Sequence, residues 1–136
     1  MIQPELRKDS GFTMIEVIMA ILILMVGMLG LLQAINLATE VNLRNQVREE
    51  AVYIGERVMN EMRGRGFDNI SATYAAYTLP SKLRGATRSY GVQKSSTVIS
   101  TVSLQPVTKQ LSVIVTWTYK GVGYQNQVVA PISILR

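Results

Sequence analysis

The sequence predicts an α+β protein with a lollipop-like plan: one long N-terminal helix carrying a small antiparallel β-sheet on its second half. Three observations predict this fold class. Apolar residues fill positions 12–35 almost without interruption, and an apolar stripe at helical spacing continues to about residue 63. Beyond residue 96, β-branched residues alternate with polar ones. A chain of 136 residues has room for one compact domain and an appendage.

The first eleven residues read as a short charged leader, and the apolar run that follows reads as a membrane helix. Arg7 and Lys8 stand before the run and, by the positive-inside rule, hold this end in the cytoplasm. From Phe12 to Ile35 a helix rises by about 36 Å at about 1.5 Å per residue, enough to cross a hydrocarbon core about 30 Å thick. A secretory signal peptide is shorter and ends in a small-residue cleavage site.

Glu16 is the only ionisable residue inside this run. A charge at the centre of a membrane helix costs about 2.5 to 3.5 kcal/mol on insertion scales, so such a residue indicates a functional site. A plain membrane anchor would explain the length and the flanking charges but would leave Glu16 without a purpose. A glutamate that snorkels to the headgroups is the alternative. In a filament of packed helices, a buried carboxylate needs a partner.

The residues around Glu16 carry a resemblance to a known family. Gly11-Phe12-Thr13-Met14-Ile15-Glu16-Val17, after a short basic leader, resembles the class III signal of type IV pilins and type II secretion pseudopilins. The resemblance implies that prepilin peptidase cuts between Gly11 and Phe12 and methylates the new amine of Phe12. That amine on a neighbouring subunit is the expected partner of Glu16, and pairing the two would fix the axial register of an incoming subunit.

The helix is predicted to run from about Thr13 to Arg63, with Gly64 and Gly66 ending it. Its membrane part includes two glycines, interpreted as close-packing positions or as a segment that unwinds locally. Many major pilins have a proline where Gln33 stands here, so no proline kink is expected. The residues assigned to the membrane helix are Met14, Ile15, Val17, Ile18, Gly27 and Gly30. The stripe of the second half is Val47, Ala51, Ile54, Val58 and Met62.

The remaining residues predict the sheet. Residues 67–88 are expected to form an irregular connection, and the strands are expected at Ser96–Leu104, stopped by Pro106, at Gln110–Tyr119 and at Tyr124–Val129, with a short one at Ser89–Gln93. Lys120–Gly123 is the predicted hairpin connection, and Pro131 limits the last strand to an edge or a bend. The predicted parts are the leader 1–11, the membrane and assembly helix 12–35, the amphipathic helix half 36–66, and the loop and sheet head 67–136.

Composition and charge argue against several classes of function. There is no cysteine and no histidine, no nucleophile with a base, no phosphate loop and no metal spacing, so an enzyme, a metal site and a cofactor are not expected. The 66 positions from Ser71 onward hold seven bases and no acid, which suggests a soluble exposed surface or a membrane-anchored module that binds nucleic acid or an acidic surface. The bases are Lys82, Arg84, Arg88, Lys94, Lys109, Lys120 and Arg136. Tyr74, Tyr77 and Tyr90 are interpreted as stacking residues for nucleic acid or as loop tyrosines pinned at the sheet edge.

Within the family, the stretch Gly11 to Ala20 followed by Val26 to Gln33 looks most like the PilV-type minor pilins. Residues Ala51 to Arg65 are similar both to that type and to the minor pseudopilin I of type II secretion. The first resemblance implies a subunit that primes or tips a type IV pilus, in adhesion, twitching motility or DNA uptake. Its partners would be other minor pilins, the major pilin, prepilin peptidase and the assembly platform of the bacterial inner membrane. The second implies a secretion pseudopilus tip. A head too divergent to assign carries no further resemblance.

Overall fold

The computed structural model describes residues 11–83 and 86–134. Residues 1–10 of the predicted leader, and the bases Arg84 and Arg136, lie outside the described residues. The elements in chain order are helix α1 Met14–Gly64, a 3-10 turn Phe67–Asn69, and strands β1 Tyr77–Leu83, β2 Ala86–Val102, β3 Gln105–Tyr119 and β4 Val122–Ser133. The chain divides into two compact units, Met1–Asn42 and Leu43–Arg136, and each has its own character.

The first unit consists, among its described residues, of the chain from Gly11 and the apolar part of α1. Every described residue up to Asn42 is exposed, including Phe12 at 87%. In the described part of the chain, α1 is the helix that is long and apolar enough to cross a membrane. Because leucine, isoleucine and methionine side chains make up most of the exposed surface of this stretch, it suits lipid or other helices better than water.

The predicted helix span is confirmed to within one residue at each end. Its end differs from the prediction in mechanism. Neither Gly64 nor Gly66 is left-handed, since Gly121 is the only described glycine with positive φ. The last turn instead tightens through a bond from the Arg65 N–H to the Met62 carbonyl, at 3.2 Å.

The second unit is a four-stranded antiparallel sheet packed on one face by the helix from Leu43 onward. The strand order is β1-β2-β3-β4, so β1 and β4 are the edges. The α+β class predicted from the sequence is therefore confirmed. The prediction of an irregular connection over residues 67–88 is wrong for its second part, since Tyr77–Leu83 is a strand. Pro80 is tolerated there because an edge strand has an open side on which a missing N–H breaks no ladder bond.

Strands β2 and β3 are longer than predicted and form one extended hairpin. The two segments expected at Ser89–Gln93 and Ser96–Leu104 belong to a single strand that ends at Val102. Pro106 does not stop the sheet but is the second residue of β3. The pairing of β3 with β4 begins only at Thr108, so Pro106 lies beyond the reach of β4. Pro131 lies inside β4, an edge strand as predicted.

The β2–β3 and β3–β4 hairpins turn on two left-handed residues each. Ser103 and Leu104 have φ of 50° and 65°, and Lys120 and Gly121 have φ of 50° and 78°. Two consecutive positive φ values suit the right-handed twist of the flanking strands, which is why asparagine and glycine are preferred there. A hairpin is thus confirmed at the predicted place, but its turn is Lys120 and Gly121 alone, because Val122 and Gly123 already belong to β4.

The core lies between the helix and one face of the sheet, and the predicted stripes form it. All five stripe residues of the helix are buried, and so is the alternate set of β3. That set is Leu111, Val113, Val115, Trp117 and Tyr119. Gly55 lies where the helix approaches the sheet, since a Cβ atom there would be 3.0 Å from Val128 Cγ2.

Two lysines hold the connection between helix and sheet. Lys109 Nζ donates to the carbonyls of Phe67 and Ile70 at 2.9 and 3.1 Å. It also stands over the Phe67 ring, 4.5 Å from the centroid. Lys94 is only 8% exposed, and its Nζ is about equidistant from the rings of Tyr74 and Tyr77. These contacts pair cations with aromatic faces and carbonyls inside the fold.

Candidate assembly site at the start of the helix

The first turn of α1 is closed by a reciprocal pair of residues, Thr13 and Glu16. The backbone N–H and the hydroxyl of Thr13 donate to Glu16 Oε2, at 2.8 and 2.9 Å. The Glu16 N–H in turn donates to Thr13 Oγ1 at 3.4 Å. This is a capping box, in which the N-cap side chain and the glutamate three residues later satisfy each other's backbone donors. The carboxylate is therefore held by the residues of its own chain.

Thr13 was not predicted as a site residue, although the sequence contains a signal for it. A threonine followed three residues later by glutamate, directly before an apolar run, is the pattern of a capping box. Here the pattern is also part of the Gly-Phe-Thr-Met-Ile-Glu signal, and the interpretation of Glu16 as an intersubunit contact left no role for its neighbour.

The surface around the carboxylate is apolar. A shallow depression of about 310 Å³ is lined by six residues of one helix face, among which Glu16 is the only one with a polar side chain. The other five are Phe12, Val17, Ala20, Ile21 and Leu24. The negative charge of Glu16 thus lies at the edge of an apolar surface. A cationic group that binds there would find no other polar side chain of this depression to compete for the carboxylate.

The small residues of this helix segment share the face of Glu16. At about 100° per residue, the alanines and glycines between residues 14 and 42 all fall within about 40° of the Glu16 direction. They are Ala20, Gly27, Gly30, Ala34 and Ala38. A Cβ atom added at Gly27 or Gly30 would meet nothing within 4 Å. Small residues on one side of a membrane helix allow a second helix to approach closely.

The predicted processing residues lie just before the helix. Gly11 and Phe12 precede Met14, the first helical residue, and both are exposed. Met14, Ile15, Val17 and Ile18 are exposed within the first turns, as are Gly27 and Gly30 further along. The site residues thus occupy one exposed stretch of the first unit, with the predicted cleavage bond outside regular structure.

The tyrosines considered for nucleic-acid stacking point elsewhere. Tyr90 is wholly buried, and its hydroxyl donates to the Val47 carbonyl at 3.4 Å. Burial raises the pKa of Tyr90, and the nearby Glu50 carboxylate raises it further. Burial also raises the pKa of Tyr77, with Glu61 adding to the effect. Tyr74 and Tyr77 are half-buried around Lys94, which agrees with tyrosines pinned at the sheet edge. For Tyr90 that interpretation is wrong, because Tyr90 is a core residue of the inner strand β2.

The described residues contain no group of three acidic, histidine or cysteine side chains that could hold a metal ion. The sequence as a whole has neither histidine nor cysteine.

Comparison with known families gives one match, and it falls on this site. The prokaryotic N-terminal methylation motif matches residues 6–32, which contain Gly11, Phe12, Glu16 and both membrane-helix glycines. The match covers the N-terminal segment alone and indicates that this segment is like that of type IV pilins and pseudopilins. No curated protein and no solved structure matches the chain.

Proposed function

We propose that this chain is a minor pilin subunit that primes or tips a type IV pilus. It would be cut between Gly11 and Phe12, methylated on Phe12, and held in the bacterial inner membrane by α1 until assembly. The observation that carries the proposal is the Glu16 carboxylate at the start of a helix whose small residues share its face. That combination suits docking against another helix, and the methylation motif supports it.

In this proposal Glu16 contributes to docking by pairing with the Phe12 amine of a neighbouring subunit. A carboxylate and an amine at similar depth in an apolar medium attract strongly because the low dielectric screens them little. Leaving either one alone there is costly. The pairing therefore favours one axial position of the incoming subunit over all others.

Co-expression with other pilins of the same organism tests this role. Glu16→Ala is expected to insert in the membrane and to be cleaved, but to lose co-purification with the partners. Thr13→Ala is the matched control, because it breaks the capping box and leaves the carboxylate in place. If both variants lose the partners equally, Glu16 acts only as a helix cap, and normal co-purification of Glu16→Ala contradicts docking.

Processing is tested by the mass of the purified chain. Gly11→Val should leave the precursor uncut when prepilin peptidase is present, because the bond no longer follows a glycine. Gly27→Val places the same side chain at an open position well inside the helix and should be cut normally. A mature mass for Gly11→Val would contradict the cleavage assignment.

A secretion pseudopilus is the second candidate, and the likeness of residues Ala51 to Arg65 to the minor pseudopilin I favours it. The two candidates share the processing and docking steps and differ in partners. Deleting the gene should abolish surface pili and twitching under the first proposal, and export of a secreted enzyme under the second. The same strain assayed for both outputs separates them.

A further inference from the structure

Five exposed or half-exposed bases lie at one end of the second unit, and we call them the basic rim. They are Arg44, Arg48, Lys82, Arg88 and Lys120. The strand register brings the sheet members together. Ser81 pairs with Arg88 and Lys82 with Thr87 at the closed end of the β1–β2 hairpin. The Arg88 guanidinium lies 5.4 Å from the centre of the Tyr119 ring, and Tyr119 directly precedes Lys120.

This end of the sheet is the one that faces the first helical residues of the unit. The Tyr90 hydroxyl reaches the Val47 carbonyl, and Ser81 Oγ donates to Glu50 Oε1 at 2.7 Å. A depression of about 350 Å³ is lined jointly by Arg44, Arg48 and the ring-bearing Trp117 and Tyr124. The rim therefore combines the end of β1, the start of β2 and the β3–β4 turn with the first helical turns of the second unit.

The charge of this end is predominantly positive. The acids near it within the second unit are Glu49 and Glu50 on the helix. Glu50 is engaged by Ser81. No strand contributes an acid, because the sequence has none after Asp68. Val122, 53% exposed, adds an apolar side chain two residues after Lys120.

The basic rim lies close along the chain to the apolar run, so a membrane surface is the anionic surface within its reach. Leu43 follows Ile35, the last residue of the apolar run, by eight residues. Eight residues span at most about 28 Å even when fully extended, at about 3.5 Å per residue. This end of the unit therefore stays within about 28 Å of the surface of any membrane that the run crosses, and the tether allows it to come nearer. Attraction between bases and anionic headgroups acts within a Debye length, about 8 Å at physiological salt.

We propose that the basic rim binds the anionic phospholipid headgroups of the membrane that α1 spans. The head then rests on the bilayer surface while the subunit waits for assembly, and leaves it when the subunit is drawn into a filament. The inference rests on the membrane-anchored stage of the proposed function. It does not depend on whether the filament is a pilus or a pseudopilus.

Energy transfer from the single tryptophan tests the proposal on the full chain. Trp117 lines the depression beside Arg44 and Arg48, so its fluorescence reports the distance of this end from the bilayer. The protein is reconstituted into vesicles that contain a dansyl-headgroup lipid, in phosphatidylcholine alone or with phosphatidylglycerol. Transfer should be higher with phosphatidylglycerol and should fall to the phosphatidylcholine value in high salt. The measurement in high salt uses the unsubstituted protein, so its result does not depend on whether a variant folds.

The paired variant Lys82→Gln with Lys120→Gln should lower transfer in the phosphatidylglycerol vesicles toward the phosphatidylcholine value. The matched control Arg57→Gln with Arg63→Gln removes two exposed bases from the far half of the helix and should leave transfer unchanged. Flotation with the vesicles checks insertion separately, so a chain that fails to insert counts against the proposed function and not against the rim.

Equal transfer in both lipids, or an equal loss in both paired variants, overturns the proposal. The same result follows if the rim variant loses binding to a double-stranded oligonucleotide while transfer to lipid is unaffected, since the rim would then serve nucleic acid.

Discussion

The glycines of α1 differ in whether the surrounding structure explains the absence of a side chain. Gly27 and Gly30 face open space, so nothing in their own chain requires a glycine there. Gly55 is the opposite case, because a Cβ atom there would lie 3.0 Å from Val128 Cγ2, and the Val128 side chain would have to shift to admit it. Packing within the chain therefore explains the glycine at position 55 and does not explain those at positions 27 and 30.

Gly55→Val is expected to destabilise the second unit by about 1 to 3 kcal/mol, the usual cost of overpacking. Its Cβ atom would lie 3.0 Å from Val128 Cγ2 and 3.5 Å from Val115 Cγ2, before the two added methyl groups are counted. Thermal unfolding followed by Trp117 fluorescence measures the effect. Gly64→Val, at a position with no atom within 4 Å, is the control, and an equal loss in both variants would refute the packing explanation.

Among the elements, the β2–β3 hairpin carries the most local strain. Its strands extend past the pairing of β3 with β4, and its turn places a leucine at φ 65° with 97% of its surface exposed. A left-handed conformation costs a residue with a Cβ atom roughly 1 to 2 kcal/mol. The left-handed backbone of the turn therefore disfavours both Ser103 and Leu104, and Leu104 also exposes an apolar side chain to water.

Replacing Ser103 by Asn and Leu104 by Gly should stabilise this hairpin by about 1 kcal/mol, because asparagine and glycine suit two left-handed positions. Hydrogen exchange of the amides near Val102 and Gln105 should slow down accordingly. Gly121→Ala makes the reverse change at φ 78° in the other hairpin and should speed up exchange near Tyr119 and Val122. Faster exchange in the Asn-Gly variant would show that the turn is not strained.

The sequence predicted the helix and its buried stripe well because both depend on a period that the helix itself imposes. The sequence did not predict β1, because Pro80 lies in the middle of Tyr77–Leu83 and proline argues against a strand. Only the strand order shows that β1 is an edge strand, where a proline is tolerated. The sequence prediction divided β2 because serines and threonines between residues 93 and 97 give no apolar signal, although cross-strand pairing keeps them in one strand. For the site, Gly11, Phe12 and Glu16 follow from the motif, whereas the hydrogen bonds of Thr13 appear only once the first turn is built.

At the scale of the whole molecule, the two units depend on different surroundings. Residues 11–42 bury nothing, and residues 43–134 contain a core of their own. All six tyrosines belong to the second unit, since the first of them is Tyr53. Conditions that ionise tyrosine should therefore disturb one unit and spare the other.

The second unit should lose stability as the pH rises above about 10, the ordinary tyrosine pKa. The pKa of Tyr90 and of Tyr77 is raised in the folded chain, chiefly by burial, so the unfolded chain gives up its protons first. Unfolding is then favoured as the pH rises, because the folded state holds the proton more tightly. Thermal unfolding in detergent from pH 7 to pH 11 measures this trend, while the far-ultraviolet signal of the apolar helix should persist.

Tyr90→Phe should flatten the decline above pH 10, and Tyr53→Phe, which changes an exposed ring, should not. An unchanged slope in Tyr90→Phe would mean that another group governs the alkaline transition.

The capping box at the start of α1 also bears on the order of events. Thr13 and Glu16 both lie after the bond between Gly11 and Phe12, so removal of the leader leaves the hydrogen bonds between these two residues in place. Under the proposed function, the carboxylate then enters the filament by exchanging partners, from the donors of Thr13 to the amine of a neighbour. A subunit that leaves the filament can re-form the hydrogen bonds between Thr13 and Glu16. The Glu16 carboxylate therefore has a hydrogen-bonding or ionic partner both before and after assembly and disassembly.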